Sequence, residues 1–232
     1  MKTILRFLPL LLLTTSLAFA GPTKIACVGD SITAGSGSKG GPAYTYPGQL
    51  AALLGKDYEV KNFGVGGATM LRNGNKPYEK EKAYQQMQAY KGDIYIILLG
   101  TNDSKAVNWA KKEDFKPSSL VLIDAILAAN AKAKIYIGLP MPAYPGNFGI
   151  RDTVIKGEVI PALKEVAAEK HLDTIDLYTA MTGKGALVPD KVHPNSEGYG
   201  VLAAAVYKGL TGKDADLSLL PKPAPAEPAK AK

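Results

Sequence analysis

Short apolar runs alternate with helix-like stretches along most of this 232-residue chain. Residues 25–28 form a compact apolar run that predicts a first strand. Residues 46–54 read as a helix that stops at Gly55. Residues 58–63 alternate, with Glu59 and Lys61 on one face, as an edge strand half open to water does. Residues 77–90 are rich in helix formers. The run IYIILL at 94–99 is apolar without a break, the pattern of a strand buried on both faces. Pro117 suits the first turn of a helix that brings Leu120, Ile123 and Leu127 to one side. A fourth strand is expected at 135–139, a helix at 150–170 interrupted near Pro161, and a fifth strand at 173–177. Asn195 suits a helix cap, and the helix it opens runs to about Leu210.

Strands separated by helices predict an α/β domain, with a parallel sheet covered on both faces. In such sheets the chemistry gathers in loops at the carboxyl ends of the strands. Those loops follow Val28, Phe63, Leu99, Leu139 and Leu177. The pattern contains no internal repeat and no second domain.

The two ends fall outside this pattern. Residues 1–20, MKTILRFLPLLLLTTSLAFA, combine Lys2 and Arg6, an apolar run and a small-x-small site at Ala18-Phe19-Ala20. That is the layout of a secretory signal peptide cleaved after Ala20. Its apolar run is short for a membrane span, so the expectation is an exported, soluble protein with no integral membrane segment once the leader is removed. The far end, PKPAPAEPAKAK, is Pro/Ala/Lys-rich and unsuited to a core. Residues 21–212 are expected to form the domain and 213–232 a disordered tail.

Charge narrows the partners. The formal net charge is +7. Setting aside Lys2, Arg6, Lys222, Lys230, Lys232 and Glu227 leaves +3, too mild to argue for nucleic acid. Cys27 is the one cysteine and there are two histidines, which excludes an intrachain disulfide and a Cys/His zinc cluster. No metal and no cofactor is expected. Cys27 reads as a small buried hydrophobe.

The candidate chemistry begins with GDSIT, at 29–33. Ser31 sits in a tight turn where a strand gives way to a helix, with its hydroxyl exposed and its own N–H facing the same side. A turn serine is ordinarily a cap, and it needs an activating base before it is a nucleophile. His171 ends a helix, where its charge suits the dipole, and reads as structural. His193, in VPDKVHPNSEGYG, is biased to an extended conformation by Pro194. Asp190, three residues earlier, can reach back to its Nδ1–H and fix the tautomer. An oxyanion needs donors. Asn102, in GTND after the third strand, offers a side-chain NH2. Gly66 or Gly67, in NFGVGGATM after the second, lets a backbone N–H approach closely.

The stretch Gly35-Ser36-Gly37-Ser38-Lys39-Gly40 also fits a G-x-G-x-x-G nucleotide loop. That loop wants its first glycine immediately after the strand, whereas Gly35 comes seven residues past Val28. Pro42 and Pro47 interrupt what should be the helix, and the second strand lacks a terminal acidic residue. A nicotinamide-dependent oxidoreductase is set aside, and these glycines read as a flexible loop beside the site. Asn102-Asp103-Ser104 fits a glycosylation sequon, but a glycan on Asn102 would block the oxyanion site; Asn102 is taken as catalytic.

The blocks GDSIT, GTND and DKVH, in this order and each after a different strand, resemble the SGNH (GDSL-type) serine hydrolases from about residue 24 to 210. The resemblance implies a flavodoxin-like three-layer α/β/α fold with a five-stranded parallel sheet. It matches Ser31 to the nucleophile, His193 to the base and Asp190 to the acid that orients it. It matches Asn102 and a loop glycine, alongside the Ser31 N–H, to the oxyanion hole. In the family that glycine lies five residues after an asparagine, so Asn62 selects Gly67. GDSIT in place of the usual GDSL is a tolerated departure.

The short domain, without a long apolar lid, favours a small acyl group, acetyl above all. Trp109, Tyr144 and Phe148 lie on strand-end segments and are candidates to stack on a sugar ring. The overall pattern, including the stretch YEVKNFGVGGATML, resembles exported bacterial members grouped with carbohydrate and sialate O-acetylesterases. The expected activity is hydrolysis of O-acetyl groups on a glycan through an acyl-serine. The alternatives are a lysophospholipase- or thioesterase-like enzyme for longer acyl chains, or a glycan-binding protein that has lost catalysis.

Overall fold

The computed structural model describes residues 21–145 and 148–222. The expected leader lies outside the described residues, as does the tail beyond Lys222. Five strands, β1 (Thr23–Gly29), β2 (Tyr58–Gly64), β3 (Ile94–Leu98), β4 (Lys134–Leu139) and β5 (Asp173–Asp176), form one parallel sheet in the order β2-β1-β3-β4-β5. The helices are α1 (Ser31–Ala34), α2 (Tyr46–Leu54), α3 (Lys82–Tyr90), α4 (Ala106–Trp109), α5 (Phe115–Ala129), α6 (Asp152–Val154), α7 (Ile160–Glu169), α8 (Leu177–Met181) and α9 (Ser196–Thr211). None of the described helices is long and apolar enough to cross a membrane.

The unbroken apolar strands are explained by two cores. Ala26 and Val28 of β1, with Tyr95 and Ile97 of β3, join the core under α3, α5 and α7. Their neighbours Ile25, Cys27, Ile96 and Leu98 face the other way, into the core under α2, α8 and α9. Alternate residues of one strand therefore feed opposite layers, as a central strand of a doubly covered sheet requires. Cys27 is fully buried, and burial pushes its thiol up to about 12.

Three local differences from the sequence reading have simple causes. The fifth strand stops at Asp176 because that carboxylate caps α8, accepting from Thr179 N at 2.8 Å. The helix expected over 150–170 carries a π turn at Ile155–Val159, directly ahead of Pro161, which has no N–H to continue the ladder. Residues 213–222, expected in the tail, return to the domain. Leu217–Leu219 forms a 3-10 turn capped by Asp216, Leu220 packs on the α2/α9 core, and Tyr44 Oη donates to Lys222 O at 3.0 Å.

The order of the sheet fixes where a ligand can bind. The chain leaves β1 toward β2 and leaves β3 toward β4, so the loops after β1 and β3 part above two adjacent strands. That is the crevice at which open α/β sheets bind ligands. The α1 turn is seated there without side-chain bulk beneath it. A Cβ on Gly64 would lie 2.2 Å from Ala34 N and 2.6 Å from Thr33 C. Asn62 Nδ2 donates to Thr33 O at 2.7 Å, tying α1 to the end of β2.

Asp30 opens α1, its Oδ1 accepting from Ile32 N at 2.9 Å. It is fully buried. Burial pushes its carboxyl up to about 6; the Ile32 N–H and the nearby Thr101 hydroxyl offset this only in part. Neither Asp30 Oδ2 nor Thr101 Oγ1 makes a well-formed hydrogen bond.

Two predictions follow from this seating of α1. Gly64→Ala must displace α1 from β2, and should cost about 2 kcal/mol, read as a melting temperature lower by about 5 °C. A raised carboxyl favours the fold while protonated, and that contribution is lost as pH rises from about 4 through 6. Asp30→Asn keeps the acceptor for Ile32 N and should therefore remove up to ~3 kcal/mol of that pH-dependent loss. Melting temperatures of both forms at about pH 4 and pH 7.5 test this; equal losses in the two would contradict it.

Candidate active site

Segments that follow all five strands supply the cleft. Ser31 stands at the start of α1, immediately past β1, half-buried. Asp190 and His193 lie on the loop between α8 and α9. Asp190 Oδ1 accepts from Val192 N at 3.0 Å and from His193 N at 2.7 Å. Lys191 takes a left-handed conformation, φ +75°, to turn the chain back. This tight turn lets the Asp190 carboxylate reach back to His193 across only two intervening residues. The same carboxylate reaches His193 Nδ1 through Oδ2 at 2.7 Å, and His193 Nε2 lies 2.8 Å from Ser31 Oγ.

The protonation pattern follows. Desolvation works to raise the Asp190 carboxyl, but the His193 N–H, the His193 ring and the Val192 N–H outweigh it and hold it below the usual range. An ionised carboxylate only accepts, so Nδ1 carries the proton toward Asp190. That leaves Nε2 as the acceptor facing the Ser31 hydroxyl.

Asn102 and Gly67 line the same cleft as Ser31 and His193. Asn102 is buried and donates one amide hydrogen to Ala68 O at 3.1 Å, which leaves its second N–H for a ligand. Gly67 holds φ +79° and lines the cleft, whereas Gly66 does not take positive φ and is not part of the lining. Asp103, fully buried, accepts from Met70 N at 2.9 Å and Leu71 N at 2.8 Å. Burial pushes its carboxyl up to about 7, against the pull of these two amides. Asn108 donates to Asn102 O at 2.8 Å and accepts from Asn75 N at 2.8 Å. The two oxyanion candidates are thus parts of one bonded block.

The cleft has a volume of about 160 Å³, and Ser36, Thr101, Lys105, Ile150 and Val192 complete its walls beside Phe148. Phe148 is exposed and meets the His193 ring edge-on at 5.4 Å. Trp109 and Tyr144 are not brought to the cleft. Trp109 is buried against Phe115, with Nε1 donating to Glu158 at 2.9 Å. Tyr144 turns its hydroxyl to Met181 O at 2.9 Å. In each case the polar tip has found an acceptor elsewhere, and ring stacking on a ligand is corrected to packing.

The glycine loop is a brace and not the flexible segment expected. Tyr199 Oη donates to Ser36 O at 2.6 Å, Lys39 N and O both bond Ser196 Oγ, and a Cβ on Gly37 would lie 3.0 Å from His193 Cβ. Gly37 therefore passes close beside His193 and Pro194, where a side chain would not fit. His171 sits exposed at the end of α7, away from the cleft. Among the described residues no group of three or more His, Cys, Asp or Glu side chains is placed to hold a metal ion.

Lys105, Asp103 and Asn108 were not singled out by sequence reasoning. Asp103 had a signal, as the residue after the candidate oxyanion asparagine in GTND. Asn108 had none, because one partner, Asn75, is 33 residues away and the link it makes from there to Asn102 exists only after folding.

Known proteins share this arrangement of elements. An aryl esterase of M. smegmatis aligns with a TM-score of 0.66 at 21% identity, covering 82% of this chain and 99% of that one. A carbohydrate acetylesterase of Sinorhizobium meliloti gives the same values. A lipase/acylhydrolase of Enterococcus faecalis aligns with a TM-score of 0.65 at 25% identity, over 82% of this chain and 96% of that one. In sequence, an acetylxylan esterase of Xylanibacter ruminicola is 39% identical over 205 residues. That match takes in 81% of this chain and 43% of the relative, so the chain spans less than half the length of that protein. The model of the GDSL-like lipase/acylhydrolase family matches residues 27–201, from within β1 into α9. With that match running through every strand and every element that carries a cleft residue, this chain belongs to the GDSL-like lipase/acylhydrolase family.

Proposed function

We propose that the protein is a serine esterase that removes acetyl groups from a carbohydrate through an acyl-serine intermediate. The observation that carries this reading is the unbroken relay Ser31 Oγ, His193 Nε2, His193 Nδ1, Asp190 Oδ2, at 2.8 and 2.7 Å, opening on a cleft that also holds Gly67 and Asn102.

In the first step Ser31 Oγ attacks the ester carbonyl as its proton passes to His193 Nε2. Asp190 stabilises the imidazolium formed and keeps its ring in place. The negative oxygen of the tetrahedral intermediate is received by the Ser31 N–H, the Gly67 N–H and the Asn102 side-chain N–H. His193 returns its proton to the departing sugar oxygen, leaving the acetyl group on Ser31. It then deprotonates a water molecule that releases acetate by the reverse sequence.

Size and surroundings support the substrate. Room of about 160 Å³ is on the scale of a benzene-sized guest, enough for an acetyl group. An open groove of about 600 Å³ continues from the cleft past Lys105, Val107, Phe148 and Arg151. Val107 and Phe148 are 59% and 56% exposed there, giving apolar faces beside cations for a sugar-bearing leaving group. The acetylxylan esterase relative agrees with a glycan ester. Export, as the leader at residues 1–20 implies, would place the enzyme where such polymers occur. No nucleotide or metal has a part in these steps.

Hydrolysis of p-nitrophenyl esters from acetyl to long acyl chains tests the reading. Activity should be greatest on acetate and abolished in Ser31→Ala; a preference for long chains would overturn the substrate, and no Ser31-dependent activity would favour a glycan-binding protein. Asn102→Ala removes one oxyanion donor, a loss of about 3 kcal/mol, and should lower kcat by about a hundredfold with little change in KM.

A further inference from the structure

The Gly67 N–H and the Gly66 C=O belong to one rigid peptide unit, so whatever holds the carbonyl also holds the amide. That unit is the middle of a tight turn. Ala68 N donates to Val65 O at 3.1 Å. Gly67 stands at φ +79° and Gly66 is not among the residues of positive φ. This is the backbone of a type II turn. A type I turn closes with the same hydrogen bond but has its middle peptide turned over. That inversion would swing the Gly67 N–H away and present the Gly66 carbonyl oxygen, which repels an oxyanion. Two consecutive glycines accept either turn, so the local sequence does not choose between them.

Lys76 is placed to choose. Its Nζ donates to Gly66 O at 2.8 Å, and its Cδ would lie 3.7 Å from a Cβ on Gly67. The residue is anchored in turn. Thr69 N donates to Lys76 O at 2.8 Å, and the adjacent Asn75 bonds Asn108, which holds the backbone of Asn102.

We propose that Lys76 is a positioning residue for the oxyanion hole: its ammonium group latches the Gly66–Gly67 peptide in the type II turn that keeps the Gly67 N–H available to the cleft. The inference rests on the esterase reading of that cleft. It explains why a flexible glycine pair can serve a step that needs a fixed donor. A charge-assisted hydrogen bond shifts two such turns by about tenfold in population.

The test is steady-state hydrolysis of p-nitrophenyl acetate by the full chain, comparing wild type, Lys76→Met, and Lys76→Met combined with Gly66→Pro. Methionine keeps an unbranched stem beside Gly67 and removes the ammonium. A Cβ at position 66 meets open space, and Pro–Gly at the centre of a turn favours type II without help from a side chain. Lys76→Met should lower kcat about tenfold with KM within about twofold and an unchanged melting temperature, and Gly66→Pro should restore most of the loss. A Lys76→Met enzyme with wild-type kcat overturns the proposal, as does a fall that Gly66→Pro fails to rescue. Absence of Ser31-dependent turnover in the wild type would remove the esterase reading and the latch with it. The Ser31→Ala control separates that case from failure of the latch alone.

Discussion

Gly29 and Leu98 stand side by side at the carboxyl ends of β1 and β3, and the rest of the site depends on that pairing. The strands are parallel, neighbouring and exited in opposite directions, so their loops leave a gap directly over the sheet. Ser31 follows one strand and Asn102 the other. Neither needs a long excursion to reach the gap, which is how short loops hold both groups on rigid supports. His193 and Asp190 arrive from the far side on the loop before α9. The glycine loop after α1 is bonded to α9 through Tyr199 and Ser196, and its Gly37 lies beside His193.

The carboxylates around the cleft show how environment divides one chemical type into several uses. Asp190 is partly open to solvent and takes two backbone N–H groups plus an imidazole, and it is held ionised. Asp103 is sealed from solvent and raised, and its two oxygens tie Met70 and Leu71 to the GTND loop. Asp30, also sealed, begins α1 beneath Ser31. Buried carboxyls cost the fold stability unless their acceptors are used. Here Asp30 Oδ1 and both Asp103 oxygens fix the loops that carry the serine, the glycine and the asparagine, so a local penalty maintains the geometry of the site.

Much of this was legible in the sequence because periodicity reports burial. The continuous run at 94–99 has the pattern of a strand covered on both sides, and the alternation of Glu59 and Lys61 marked the edge. Ser31, Asn102, Asp190 and His193 were legible because each sits within a few residues of a strand end or a helix cap. Side-chain direction was not. Trp109 and Tyr144 look like stacking residues in sequence, yet Glu158 and Met181 O claim their polar atoms. The bracing of the glycine loop and the contacts of Lys76 and Asn108 depend on residues brought together by folding, and no local pattern records them. The 3-10 turn at Leu217–Leu219 was hidden by the proline-rich composition that follows it.

The central claim is that Ser31 is a nucleophile made reactive by His193. Covalent labelling with an organophosphate ester, followed by peptide mapping, tests it without assuming any substrate. The account predicts a single modified serine, Ser31, in the wild-type protein, and labelling that is lost in His193→Ala while the fold persists. An unmodified Ser31, or labelling that proceeds equally without His193, would contradict it.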